Sequence, residues 1–128
     1  MTTNKILLWL FLLTPFFALA DCSCENTGFD TVIETKTELG NRITVRLPAN
    51  PVTQNTREAT VCSIPNSKLI EAKLWMPAHG HGSAPTSVNQ EKSDCAVIKK
   101  LSFVMLGKWE IAMLFEEGDK AKVEVEIQ

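Results

Sequence analysis

Tyrosine is absent from this chain, histidine occurs twice, and no long apolar run is present. Each scarcity excludes something. The longest apolar stretch, Ile6 to Leu13, is broken by Thr14-Pro15 and falls well short of the roughly 20 residues a spanning helix needs. Basic residues are not in excess: 13 Lys and Arg stand against 15 Asp and Glu, interspersed, for a formal net charge of −2. A chain so balanced lacks the basic face that neutralises phosphates, which argues against nucleic acid as a partner. There is no phosphate-cradling glycine motif of the P-loop or dinucleotide kind and no serine in a nucleophile elbow. Cys62 or Cys95 could be drawn as a nucleophile with a histidine, but no orienting third residue accompanies them. The expectation is a protein that binds and does not catalyse.

What is present begins with an address. Lys5, the apolar run, and Ala18-Leu19-Ala20 form the n-region, h-region and small-residue cleavage site of a secretory signal peptide. The reading is a leader over residues 1–20, cleaved after Ala20, and a periplasmic or extracellular mature chain that does not span a membrane. Cys22 just past the apolar run raises lipoprotein processing, but Asp21 occupies the place where that processing needs a small residue. The remainder is a single domain's worth of chain.

All four cysteines, Cys22, Cys24, Cys62 and Cys95, fall in this remainder, where the compartment permits disulfides. Cys22 and Cys24 are too close for an easy mutual bridge. Either each pairs with one of Cys62 and Cys95, or Cys62 pairs with Cys95 and leaves Cys22-Ser23-Cys24 as a thiol pair that suits a soft metal. Structural bridges are the plainer expectation, and the spacing does not match a zinc site, which ordinarily shows two close ligand pairs.

Short alternating runs rich in β-branched residues recur between turn residues, and helical periodicity is nearly missing after the leader. Strands are predicted over Thr31–Thr37, Arg42–Leu47, Glu58–Ile64, Leu69–Met76, Ala96–Met105, Trp109–Phe115 and Lys120–Ile127. In the second, Ile43, Val45 and Leu47 share a face; in the third, Ala59 and Val61 oppose Thr60 and Cys62; in the last, Ala121, Val123, Val125 and Ile127 point inward. His79 to Glu91, rich in Gly, Ser, Pro, Asn and Gln, reads as one long exposed loop or a pair of loops. About seven antiparallel strands at turn spacing predict an all-β, immunoglobulin-like β-sandwich. Trp75 and Trp109 are expected to pack between its sheets.

The unusual segment is Leu74-Trp75-Met76-Pro77-Ala78-His79-Gly80-His81-Gly82-Ser83, which holds both histidines of the chain. Pro77 ends a strand and the glycines allow unusual backbone angles, so both imidazoles can turn toward one point. Imidazole with thioether suits copper in either oxidation state, and Met76, Met105 and Met113 are the soft donors at hand. Zinc is less suited, since no carboxylate or cysteine stands at ligand spacing from the histidines. The competing reading is that the histidines simply shape a turn and that Met105 and Met113 fill the core.

Two blocks, Trp75 to Ser83 and Phe103-Val104-Met105-Leu106-Gly107-Lys108-Trp109-Glu110-Ile111, together resemble the YtkA-like domain, a family related to FixH-like proteins. The resemblance covers Leu39 to Gln128; residues 21–38 form an N-terminal segment with Cys22-Ser23-Cys24 and the first strand. It implies an exported or membrane-anchored immunoglobulin-like sandwich, in a family whose members are often of unknown function and of which some occur in proteins connected with copper handling or respiratory oxidase maturation. Carried over by position, it implies Met76, His79, His81 and Met105 as ligands to a copper ion. The cysteines are no part of that signature. The expected function is an exported copper-binding module; the alternative is a structural or protein-interaction domain accessory to an envelope complex.

Overall fold

Alternation of apolar and polar residues dictates the elements. A computed structural model describes residues 22, 24, 30–48, 56–63 and 67–128. The leader expected over residues 1–20 lies outside the described residues, among which no helix is long and apolar enough to cross a membrane. The described residues form nine strands in order: β1 (Asp30–Lys36), β2 (Arg42–Pro48), β3 (Thr56–Cys62), β4 (Leu69–Met76), β5 (His81–Gly82), β6 (Ser87–Lys92), β7 (Cys95–Ser102), β8 (Gly107–Phe115) and β9 (Lys120–Ile127). They form two antiparallel sheets, in the orders β1-β2-β3-β7-β6 and β5-β4-β8-β9. With β2 to β9 taken as A, B, C, C′, D, E, F and G, these are the A-B-E-D and C′-C-F-G sheets of the immunoglobulin sandwich, and β1 adds a strand beside A.

The core is what the alternation predicts. Ile43, Val45 and Leu47 of β2, Ala59 and Val61 of β3, and Ala121, Val123, Val125 and Ile127 of β9 all face inward and are buried. Beside β9 in the same sheet, β8 contributes Trp109, Ile111, Met113 and Phe115, so Met113 is a core residue. Burying an aliphatic side chain of this kind stabilises by about 1.5–3 kcal/mol, and this face carries most of the fold's stability.

The predicted strand Ala96–Met105 ends early. Between Arg57 and Ala59 of β3 the register with β7 shifts, and Lys100 takes a φ of 63°. This extra residue is a β-bulge: Ala96 and Ile98 face the core before it, Leu101 and Phe103 after it. The chain then leaves the sheet, and Met105, expected in a strand, lies in the connection of residues 103–106.

The long loop expected over residues 79–91 is also replaced, by β5 and β6 with a short link between them. The two are edge strands, one two residues long and the other with Val88 as its apolar residue packed on the core, so neither needs the alternation that betrays a half-buried strand. Side chains close the seam between the sheets here: Thr86 Oγ1 donates to the Ala72 carbonyl, and Gln90 Oε1 accepts from Leu69 N at 3.0 Å. At the opposite seam Asp119 is 3% exposed and accepts from Leu39 N, Asn41 Nδ2 and Lys120 N at 3.0–3.1 Å, joining the β1–β2 turn to the start of β9.

The bridges are Cys22–Cys95 and Cys24–Cys62, with Cα separations of 5.9 and 5.8 Å. Of the two pairings left open by the sequence, each close cysteine therefore takes one distant partner, and none of the four is free. Cys62 lies beside Thr60 on the side of β3 opposite Ala59 and Val61, and is the register partner of Cys95. The bridges therefore sit on the outer face of their sheet and tie the N-terminal segment across it.

Candidate metal centre

The hairpin that carries the histidines is set by Pro77 and Gly80. Pro77 cannot donate to the ladder, so β4 ends at Met76. Gly80, with φ +64°, lets the chain reverse, and its N–H donates to the Met76 carbonyl at 3.0 Å. Strand β5 then returns with Met76 opposite His81 and Trp75 opposite Gly82. Cross-strand partners share a face, so His81 stands on the inward side with Met76, whereas Trp75 is turned out and 43% exposed. Trp75 thus departs from the expected place between the sheets; it covers Gly82, where an added Cβ would lie 3.7 Å from the indole.

The two imidazoles come together: their ring centres are 5.8 Å apart with planes tilted by 43°. A metal about 2.0 Å from a ring nitrogen lies about 3 Å from that ring's centre, so two centres up to about 6 Å apart can share one ion. His81 Nδ1 is 3.0 Å from the Gly82 carbonyl, which can only accept. Its proton is therefore on Nδ1, and Nε2 keeps the lone pair a metal needs. His79 is exposed and His81 half-buried, so an ion would approach from solvent.

Met105 reaches the same end of the sandwich through Trp109, a link the sequence does not reveal. The fully buried indole lies edge-on to His81 at 5.9 Å and to Phe103 at 6.0 Å, and its Nε1–H donates to the Met105 carbonyl at 2.9 Å. One side chain thus touches both the histidine hairpin and the methionine connection. The spacing Met105-Leu106-Gly107-Lys108-Trp109 is its only trace in sequence. Met76 is 2% exposed and part of the core; its Cε lies 3.0 Å from where a Cβ on Gly107 would sit, so Gly107 makes the room it occupies. Of the four predicted ligands, then, the rings of His79 and His81 are brought together, Met76 is the buried cross-strand partner of His81, and Met105 is 37% exposed on the connection that Trp109 holds through its backbone carbonyl.

Among the described residues no carboxylate or cysteine joins the histidines to make a group of three, and the methionines on the two segments that Trp109 links are Met76, in register with His81, and Met105. Such a set of two imidazoles and thioether sulfur fits copper better than zinc. Trp75, Val104, Met105 and Leu106 are all exposed apolar side chains in the segments that flank it. No protein-family model, curated protein or solved structure matches this chain.

Proposed function

We propose that this is an exported binding module that takes up a copper ion at the β4–β5 hairpin, through His79 and His81 with thioether from Met105 and Met76. The observation that carries the reading is the pairing of the imidazoles at 5.8 Å over a buried methionine in register, on a hairpin tied through Trp109 to Met105. The likeness of both segments to YtkA-like domains supports it. Met105, at the surface, is the thioether donor an incoming ion meets first; Met76 requires the ion to sit deeper, against His81.

The test is calorimetric titration of the protein with Cu(II), and with Cu(I) under anaerobic control, beside a His79→Ala/His81→Ala variant. Loss of saturable binding in a variant that melts as the parent does supports the site. Binding unchanged in the variant sinks it. Protons compete for imidazole, so affinity is expected to fall on acidification, and copper held as tightly at pH 4 speaks against histidine ligation.

The exposed apolar side chains around the hairpin favour a second reading, an interaction domain of an envelope complex that the loop serves as a contact surface. There, Trp75→Ala or Leu106→Ala abolishes partner binding while the histidine variant does not.

A further inference from the structure

At the other end of β3 and β7, away from the histidine hairpin, the four cysteines form a cluster. Cys62 and Cys95 are register partners on adjacent strands, so two sulfurs project side by side from a rigid platform. The sulfurs of Cys24, Cys62 and Cys95 all lie within 4.8 Å of one another, and that of Cys22 is bonded to Cys95. A tetrahedral thiolate site with metal–sulfur bonds of about 2.3 Å has its sulfurs about 3.8 Å apart. Three of the four sulfurs are thus already grouped within a span close to that of a metal–thiolate centre, and the two bonded pairs must spread.

The segment that supplies Cys22 and Cys24 has further anchors. Cys22 is 5% exposed and packs with Val97, and Arg46 Nη2 donates to the Cys24 carbonyl at 3.1 Å.

We infer that the disulfide pair is the oxidised form of a four-thiolate site for a thiophilic d10 cation, Cu(I) or Zn(II). Opening it takes two equivalents of a dithiol reductant. For each bridge the sulfur–sulfur bond breaks, the two sulfurs gain two electrons and two protons, and the donor leaves as its own disulfide. Metal binding then displaces the thiol protons. The site is independent of the histidine hairpin, and reduction switches it on.

The experiment uses the His79→Ala/His81→Ala protein, so that failure of the copper reading above leaves it untouched. The protein is reduced with a phosphine, freed of reagent without air, and titrated with Cu(I) or Zn(II) against a chromophoric chelator, with circular dichroism recorded throughout. The expected result is saturation by a single ion in the reduced form, with near-ultraviolet thiolate-to-copper absorption for Cu(I), and neither in the oxidised form. Cys62→Ser, which removes a direct ligand, weakens binding by more than the roughly 10- to 100-fold that loss of an outer partner costs. If the reduced chain loses its sheet signal, the ion is expected to restore it. Reduced protein that binds no tighter than oxidised, binding indifferent to Cys62→Ser, or a reduced chain that the ion does not refold would each overturn the inference.

Discussion

Replacing Trp109 with phenylalanine separates the two tasks of that side chain. The ring still fills most of the space between Phe103 and the β4–β5 hairpin, but the N–H that holds the Met105 carbonyl at 2.9 Å is gone. Leaving that carbonyl without its donor costs about 1–2 kcal/mol. Indole exceeds phenyl by about 40 Å³, and a cavity of that size costs about 1 kcal/mol more at a site fully closed to solvent. The sum, about 2–3 kcal/mol, lowers the melting temperature of a domain this size by about 10–20 °C. The connection bearing Met105 is then free to move, so on the copper site proposed above Cu(I) affinity is expected to fall as well. Phe103→Leu is the control: it disturbs the same aromatic contact and lowers stability, yet keeps the N–H and hence the copper affinity. In a Met105→Leu background, Trp109→Phe is expected to cause no further loss of affinity, because both changes remove one thing. The reasoning is refuted if Trp109→Phe melts lower but binds copper as before, or if both aromatic variants lose affinity in proportion to stability.

Two further outcomes follow from the fold. The Cys22–Cys95 bridge joins residues 73 apart, so its loss through Cys22→Ser/Cys95→Ser frees about 4 kcal/mol of unfolded-chain entropy and lowers the melting temperature by about 15–30 °C; a fall of only a few degrees contradicts the chain-constraint account. For Asp119, burial works to raise the carboxyl pKa, but hydrogen bonds from Thr37, Leu39, Asn41 and Lys120 outweigh it and hold the group below its ordinary range. Its stabilisation is present above the unfolded value near 3.9 and is lost as pH falls through the lower folded value. Asp119→Asn sets an amide donor against these donors and removes that pH dependence, which acid unfolding of the two proteins side by side reads directly.

What sequence could reveal here depended on whether the signal was local. The inward faces of β2 and β9 were legible because alternation is written residue by residue, and the end of β4 was legible because Pro77 stops it, but the return strand β5 was not, since two residues carry no alternation. Strand β6 was hidden because an edge strand can be polar on both faces, and the true end of β7 was hidden because the bulge at Lys100 shifts the alternation by one residue. Trp109 looked like an ordinary core aromatic; that its N–H reaches Met105 depends on where the bulge and Gly107 send the connection, which is a tertiary outcome.

The cysteines show the limit most clearly. The parity of Cys62 with Thr60 already placed it on the side of β3 away from Ala59 and Val61, which rules out a bridge through the core of the kind antibody domains carry. Parity could not choose a partner, because that choice depends on Cys95 lying directly opposite, set by the β3–β7 register. Once that register exists, the two distant cysteines are neighbours, and both could have bonded to each other. They bond to Cys22 and Cys24 instead, which fastens the N-terminal segment to the outer face of the sheet. With the core filled by Trp109, Phe103 and the aliphatic residues around them, sulfur adds nothing to its packing; on the outer face the bridges stabilise by restricting the unfolded chain. The same position leaves the Cys24–Cys62 bridge, with Cys24 exposed and Cys62 half-buried, open to a reductant, while Cys22 and Cys95 are covered and follow once that first bridge opens.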